Sequence, residues 1–344
     1  MAWLSGYGYR QKVPLKRVDG AVTDYQMLLT VNKGAGDSSA AVIYLKNHAL
    51  SWEATVPNDL RFTRADEVTE LSYWIEFSDA NTAKVWGKYN SIGTTDTYFC
   101  VYYGKSGDAT TSNAANTWQF FEGFENSRSS GWGDGTSFSA ADWEYASPSL
   151  NSQGSYRLHF NTGRTEGEYD NMWYKTTSYA DIRFLALIRA DYADDDSGIL
   201  FRATGAEDGT AKEPVGYRVQ IPRTGNQYIN LAKYQTSLVT LHSIALADST
   251  DIVRLEILAY GSALKVNYER PVGTALGTLT ATDATWASGY IGLCAVEWDT
   301  NRNASFDMFC VGKYTDPEPT WGTWGSEETP PTAPAGRSFG YIIG

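Results

Sequence analysis

Three short stretches decide the fold: Tyr217-Arg218-Val219-Gln220-Ile221, Val253-Arg254-Leu255-Glu256-Ile257 and Leu264-Lys265-Val266-Asn267-Tyr268. In each, apolar and polar residues alternate. Successive side chains of an extended strand point to opposite faces, so one face is apolar and the other carries Arg, Gln, Glu, Lys and Asn. That is the pattern of a sheet with one face packed on a partner sheet. Apolar runs at Ile182-Arg183-Phe184-Leu185-Ala186-Leu187-Ile188 and Gly198-Ile199-Leu200-Phe201-Arg202 extend the reading. So do Met27-Leu28-Leu29-Thr30-Val31, Leu71-Ser72-Tyr73-Trp74-Ile75-Glu76-Phe77 and Thr97-Tyr98-Phe99-Cys100-Val101-Tyr102-Tyr103 nearer the N-terminus. The expected class is all-β.

The chain has 344 residues, 42% hydrophobic and 14% aromatic, with 12 Trp and 23 Tyr, a composition that excludes a disordered chain. At ~150 residues per domain, two domains are expected. The net charge of -12, with no basic patch in the sequence, argues against nucleic acid and anionic lipid as partners. No uncharged apolar run approaches the ~20 residues needed to cross a bilayer, so no membrane insertion is expected. Residues 1–9 carry neither the basic nor the apolar region of a secretory signal, and the chain as given is not expected to be Sec-exported. Cys100, Cys294 and Cys310 lack metal-ligand spacing and read as small buried hydrophobes, a Cys294–Cys310 disulfide being the lesser alternative. Composition shifts place an N-terminal β-sandwich at residues 1–106, a Gly/Ser/Asn/Thr-rich linker at 107–117, a second sandwich at 118–311, and an extended Pro-rich tail at 312–344.

Tyr9-Arg10-Gln11-Lys12-Val13, Asp59-Leu60-Arg61-Phe62-Thr63, Leu71-Ser72-Tyr73-Trp74-Ile75-Glu76, Ala83-Lys84-Val85-Trp86-Gly87-Lys88 and Tyr102-Tyr103-Gly104 together resemble a domain of unknown function common in large surface proteins of archaea, bacteria and viruses. The second region resembles concanavalin A-like jelly rolls of the laminin-G and keto-disaccharide-hydrolase-like type, through Ser197-Gly198-Ile199-Leu200-Phe201-Arg202, Gly216-Tyr217-Arg218-Val219-Gln220-Ile221 and Ala287-Ser288-Gly289-Tyr290-Ile291-Gly292-Leu293. Lys313-Tyr314-Thr315-Asp316-Pro317-Glu318-Pro319-Thr320 is similar to the segment that closes that architecture. The first resemblance implies no chemistry, and the second implies a lectin-like or adhesive module. Jelly-roll relatives often hold a structural calcium where the first and last strands meet, which implies Glu122, Glu125 and Asp307 as ligands here.

The catalytic motifs are missing. His48, His159 and His242 stand far apart, and neither a G-x-S-x-G elbow nor a dinucleotide fingerprint occurs. Glu297-Trp298-Asp299 resembles the start of the E-x-D-x-x-E strand of laminarinase-type jelly rolls, but Arg302 stands where the third acid belongs. The acidic stretches Glu166-Gly167-Glu168-Tyr169-Asp170 and Asp191-Tyr192-Ala193-Asp194-Asp195-Asp196-Ser197 read as solvated loops. Tryptophans in apparent loops of the second domain, Trp132, Trp143, Trp173 and Trp298, are the candidates for stacking on sugar rings.

These readings combine into a non-enzymatic structural or adhesion protein that binds host glycans or neighbouring subunits as a homo-oligomer. A virion surface component, as capsid decoration, spike or tail, is the leading expectation. A microbial cell-surface adhesin or extracellular filament subunit is the alternative, and a glycan-active hydrolase comes third. No cofactor is required, and a structural calcium is what the jelly-roll resemblance implies. The tail is read as an assembly arm: Phe339, Tyr341, Ile342 and Ile343 would add a strand to a neighbour, while Trp321 and Trp324 would anchor on a partner or fold back on the jelly roll.

Overall fold

The computed structural model describes residues 2–46, 52–53, 56–135, 143–152, 154–160, 169–190, 197–209, 212–221, 228–246, 251–274, 277–296 and 304–331. Strands dominate, and the helix among the described residues is a single turn, Ala114–Thr117. The chain separates into two compact units, one made of Met1–Asn113 with Pro319–Gly344, the other of Ala114–Glu318.

In the first unit a five-stranded sheet runs in the order Thr320–Trp321, Tyr9–Lys16, Thr97–Tyr103, Arg61–Thr63, Glu70–Leu71. A four-stranded sheet of Val42–Leu45, Tyr25–Lys33, Thr82–Tyr89 and Tyr73–Ser78 supplies the second layer. Val13, Leu15, Leu29, Val31, Phe62, Ile75, Val85 and Val101 from both sheets meet in one core. The residues that resemble the domain of unknown function turn out to be structural. Asp59 accepts the Gly104 and Lys105 backbone N–H groups, and Glu76 accepts the indole N–H of Trp86 at 2.6 Å. Arg10, fully buried, donates to Glu67, to Tyr102 and to the Ala2 carbonyl through Nη1, and to Glu328 through Nε. The Trp3 ring lies 4.4 Å beneath its guanidinium.

Two segments read from composition as a linker and an extended tail are tied to this unit. In the stretch read as a linker, Asp108 pairs with Arg61 and accepts the Tyr7 hydroxyl, and Ser112 Oγ accepts the Ile75 N–H. Its side chains are too polar to join a core but well suited to closing backbone and charged groups. The extended segment after Lys313 returns as an edge. Thr320–Trp321 pairs with Leu15–Lys16, Gly322 and Gly325 donate to Pro14 and Lys12, and Glu328 exchanges two backbone hydrogen bonds with Arg10. Trp321 and Trp324 thus pack on the first unit's own core. They stack at 6.0 Å, Trp324 is buried in the first core, and its indole donates to the Ala40 carbonyl. Phe339, Tyr341, Ile342 and Ile343 lie outside the described residues.

The second unit is a sandwich of two larger antiparallel sheets. One has the order Trp143–Ala146, Arg157–Phe160, Ala304–Lys313, Ile182–Ala190, Val253–Tyr260, Ala263–Glu269, Gly277–Thr282, with Phe120–Glu122 also pairing the Ala304–Lys313 strand. The other runs Trp132–Asp134, Tyr169–Tyr179, Gly289–Val296, Ser197–Ala203, Gly216–Ile221, Tyr228–Tyr234, Leu238–Ala245. Alternation decides the inward faces: Val219 and Ile221 from one sheet meet Leu255, Ile257 and Val266 from the other in a single core. All three cysteines are buried and none is in a disulfide, against the Cys294–Cys310 alternative.

Truncating a core tryptophan removes its packing and leaves a cavity. Trp324→Ala is therefore expected to destabilise the first unit by about 3–5 kcal/mol, read from urea unfolding, although the residue lies in what composition marks as a tail.

Candidate functional site

The four tryptophans proposed for sugar stacking part company in the structure. Trp132 belongs to the core, packed among Phe120, Phe124, Tyr174 and Phe309, with its indole N–H held by Glu122. Trp143 belongs there too, against Phe160 and Phe306. Both correct the sequence reading, since a ring covered by other rings has no face left for a ligand. Trp298, like Glu297 and Asp299, lies outside the described residues, as do 166–168 and 191–196. Asp170 is described and buried.

Of the three described, Trp173 alone points away from the sandwich core, and it too is buried, 1% exposed. Strand register places Trp173, Gly292, Leu200 and Arg218 in one row across four neighbouring strands, and Asn171, Cys294, Gly198 and Gln220 in the next. Their chain neighbours Met172, Leu293, Ile199 and Val219 lie in the core, so these two rows point away from it. Tyr169, Trp173, Leu200 and Cys294 form a separate small cluster on that face. Gly292 allows it: a Cβ there would come within 2.4 Å of the Met172 carbonyl oxygen.

Beside Trp173 opens a cavity of about 260 Å³, lined by Asp134, Trp173, Lys175, Glu207 and Lys212 and by the backbone of Gly205. It is smaller than the ~300 Å³ at which pockets for drug-sized molecules begin, so it suits one ring rather than a chain. Lys175 holds its ammonium 5.0 Å from the Trp173 ring. The Trp173 Nε1–H and the Asn171 Oδ1 are buried and have no hydrogen-bond partner among the described residues. The two carboxylates of the cavity are engaged: Asp134 in a two-point ion pair with Arg128 at 2.7 and 3.1 Å, Glu207 by the Asn171 amide at 2.9 Å. Sequence reasoning missed Lys175, Glu207 and Lys212, because nothing in their spacing shows that they converge on Trp173.

The implied calcium ligands are spent on the chain itself. Glu122 accepts the N–H groups of Phe124, Ser129 and the Trp132 indole, and Glu125 accepts those of Ser155 and Tyr156. Asp307 accepts the Ser149 hydroxyl and the N–H groups of Leu150, Asn151 and Met308. Among the described residues no three His, Cys, Asp or Glu side chains come together as a metal-ligand set, so the three-carboxylate site is not assembled. The physical reason is that N–H donors already face these oxygens and fix the loops. The described histidines are likewise structural, His159 bonded to Ser305 and His242 to Thr280.

Burial pushes the Asp307 carboxyl up to about 6, against the pull of the Ser149 hydroxyl and the backbone donors. Between the unfolded value of 3.8 and that raised value the folded protein keeps a proton that the unfolded chain has released. Its stabilising contribution is thus complete below the unfolded value and lost as pH rises through about 6. Urea unfolding should show the wild type losing about 2–3 kcal/mol more than Asp307→Asn across this window. Equal slopes for the two proteins would contradict the assignment.

The family model described as Domain of unknown function (DUF2341) matches residues 56–143, about a quarter of the chain, running from the first unit into the opening strands of the second. No curated protein matches the sequence. Among solved structures, the VIP36 exoplasmic/lumenal domain in its Ca2+/Man3GlcNAc-bound form aligns at 10% identity and a TM-score of 0.40, covering 54% of this chain and 86% of that one. A legume lectin-like domain from Entamoeba histolytica aligns at 10% identity and 0.39, covering 54% and 91%. The Bacteroides ovatus xyloglucan PUL GH43B aligns at 16% identity and 0.41, covering 64% and 48%. At such scores the likeness is loose.

Proposed function

We propose that the second sandwich recognises carbohydrate without cleaving it, and that the chain serves as a structural or adhesive component of a surface assembly. The carrying observation is the small polar cavity beside Trp173, lined by two lysines and two carboxylates. A sugar ring offers hydroxyls that accept from the lysines and donate to the carboxylates. Hydrolysis would need two carboxyl groups facing each other across the scissile bond, and Asp134 and Glu207 are both held by other partners. The assembly we favour is a virion, with a cell-surface adhesin or filament as the alternative; electron microscopy of the native particle or cell surface decides between them.

Glycan arrays followed by titration test the binding. Lys175→Met removes one cationic donor from the cavity lining, and it should weaken binding about tenfold, the worth of one hydrogen bond of ~1.4 kcal/mol, without loss of fold. Incubation with any bound glycan should release no reducing ends; turnover would overturn the non-catalytic half.

The reading requires no cofactor. Calcium binding at the loops of Glu125 and Asp307 would have to recruit oxygen atoms besides these carboxylates, and it would raise the melting temperature by mass action. The melting curve is expected to be the same in calcium and in chelator; a clear rise with calcium would establish the ion.

A further inference from the structure

Among the described residues three arginines are fully buried, Arg10, Arg202 and Arg218. The first two are well supplied with acceptors. Arg10 is bonded through Nε and Nη1 to carboxylates, a hydroxyl and a carbonyl. Arg202 donates from Nε to the Ala180 carbonyl and from Nη1 to those of Gly261 and Trp286. Arg218 differs. Its Nη1 pairs with Glu213, while its Nε and Nη2 are buried with no hydrogen-bond partner among the described residues. Its guanidinium lies 5.1 Å from the Tyr169 ring, so an aromatic face supports the cation without using its N–H groups.

Arg218 stands in the same row as Trp173 on the outward face of the sheet. Gly292 and Leu200 lie between them in that row, and Gly198 in the adjoining row adds no side chain to the face. The charge on this face is divided. Arg218 and Lys175 rise from the strands of the sheet, whereas Glu207, Asp208 and Glu213 come from the two-residue strands laid beside them, with Lys212 the one opposite charge there. Glu213 keeps 17% of its side chain exposed while Arg218 keeps none, so the ion pair meets solvent on the glutamate side.

We propose that Arg218 is a carboxylate-binding site occupied by Glu213 as a tethered stand-in, and that the glycan recognised on this face is acidic, carrying a uronate-type carboxylate that replaces Glu213. A guanidinium presents a planar fork of N–H donors that a carboxylate fills at two points. Glu213 fills one arm of that fork from the solvent side, and a ligand carboxylate that displaces it there would take that arm and reach a second. Exchange keeps the buried cation paired throughout, which a neutral sugar cannot do. This inference rests on the carbohydrate reading above and sharpens it to a ligand class.

The test titrates the whole chain with a glucuronate-terminated oligosaccharide and with its glucose-terminated counterpart. The wild type should bind the acidic probe at least tenfold more tightly. Glu213→Gln removes the competing charge, so it should bind the acidic probe several-fold more tightly than wild type, and its lowered melting temperature should recover when that probe is added. Arg218→Met should lose the acidic preference while still binding the neutral probe. If Arg218→Met does not fold, Glu213→Gln alone decides, since a direct ligand contact and a purely structural ion pair predict opposite changes in its affinity. Equal affinity for the two probes, or weaker acidic binding by Glu213→Gln, would overturn the inference and leave the carbohydrate reading standing. Loss of the preference in Lys175→Gln with Arg218→Met unaffected would assign the carboxylate to the lysine and overturn it too. Binding of neither probe, nor of any glycan on an array, would overturn both.

Discussion

A guanidinium taken out of water must find acceptors or an opposing charge, and this constraint organises the polar half of the molecule. At Arg10 it gathers residues from five places in the first unit: Ala2, Glu67, Tyr102, Glu328 and the Trp3 ring. Removing any one of these partners would leave buried charge less well matched, so the Arg10 cluster fixes where the N-terminal segment and the returning C-terminal segment must lie. At Arg202 three backbone carbonyls do the same for loops of the second unit. Arg218 is the member of the set whose donors exceed its acceptors, and this imbalance marks the outward face of its sheet as chemically unfinished.

That face exists because of strand geometry. A period of two sends Val219 inward and Arg218 outward with no further instruction, and the same rule puts Trp173 and Asn171 outside while Met172 joins the core. Glycines then shape the surface: Gly292 admits the Trp173 strand at close range, and Gly205 lines the cavity beside it. The aromatic residues divide between the two sides by the same parity. Trp132 and Trp143, on inward positions, are packing residues with large buried areas and no ligand-facing ring.

Carboxylates serve mainly as loop clamps. Asp59, Glu122, Glu125 and Asp307 each accept two or more donors, most of them backbone N–H groups, in turns where neither helix nor sheet satisfies the chain. In a protein built of strands joined by turns, such clamps replace the caps that helices would require. They also account for acidic residues without assigning them to catalysis or to a metal.

The sequence by itself determined the all-β class, the two sandwiches and the strands that build them, because alternation is a local property: whether residue i and residue i+2 share a face depends on the backbone alone. It also marked Trp173, though in company with Trp132 and Trp143, which an identical composition signal could not separate. Only the tertiary structure decided which tryptophan faces outward, because that depends on which sheet each strand joins and on what covers it. It alone showed that Glu122, Glu125 and Asp307 close separate sets of N–H donors, and that Thr320–Trp321 and Glu328 pair with a strand begun more than three hundred residues earlier, at Tyr9–Lys16. It alone brought Lys175, Glu207 and Lys212 to one cavity and left Arg218 with donors to spare. Those are contacts between residues distant in the chain, and no local pattern of hydrophobicity or charge encodes which distant partner a side chain will meet.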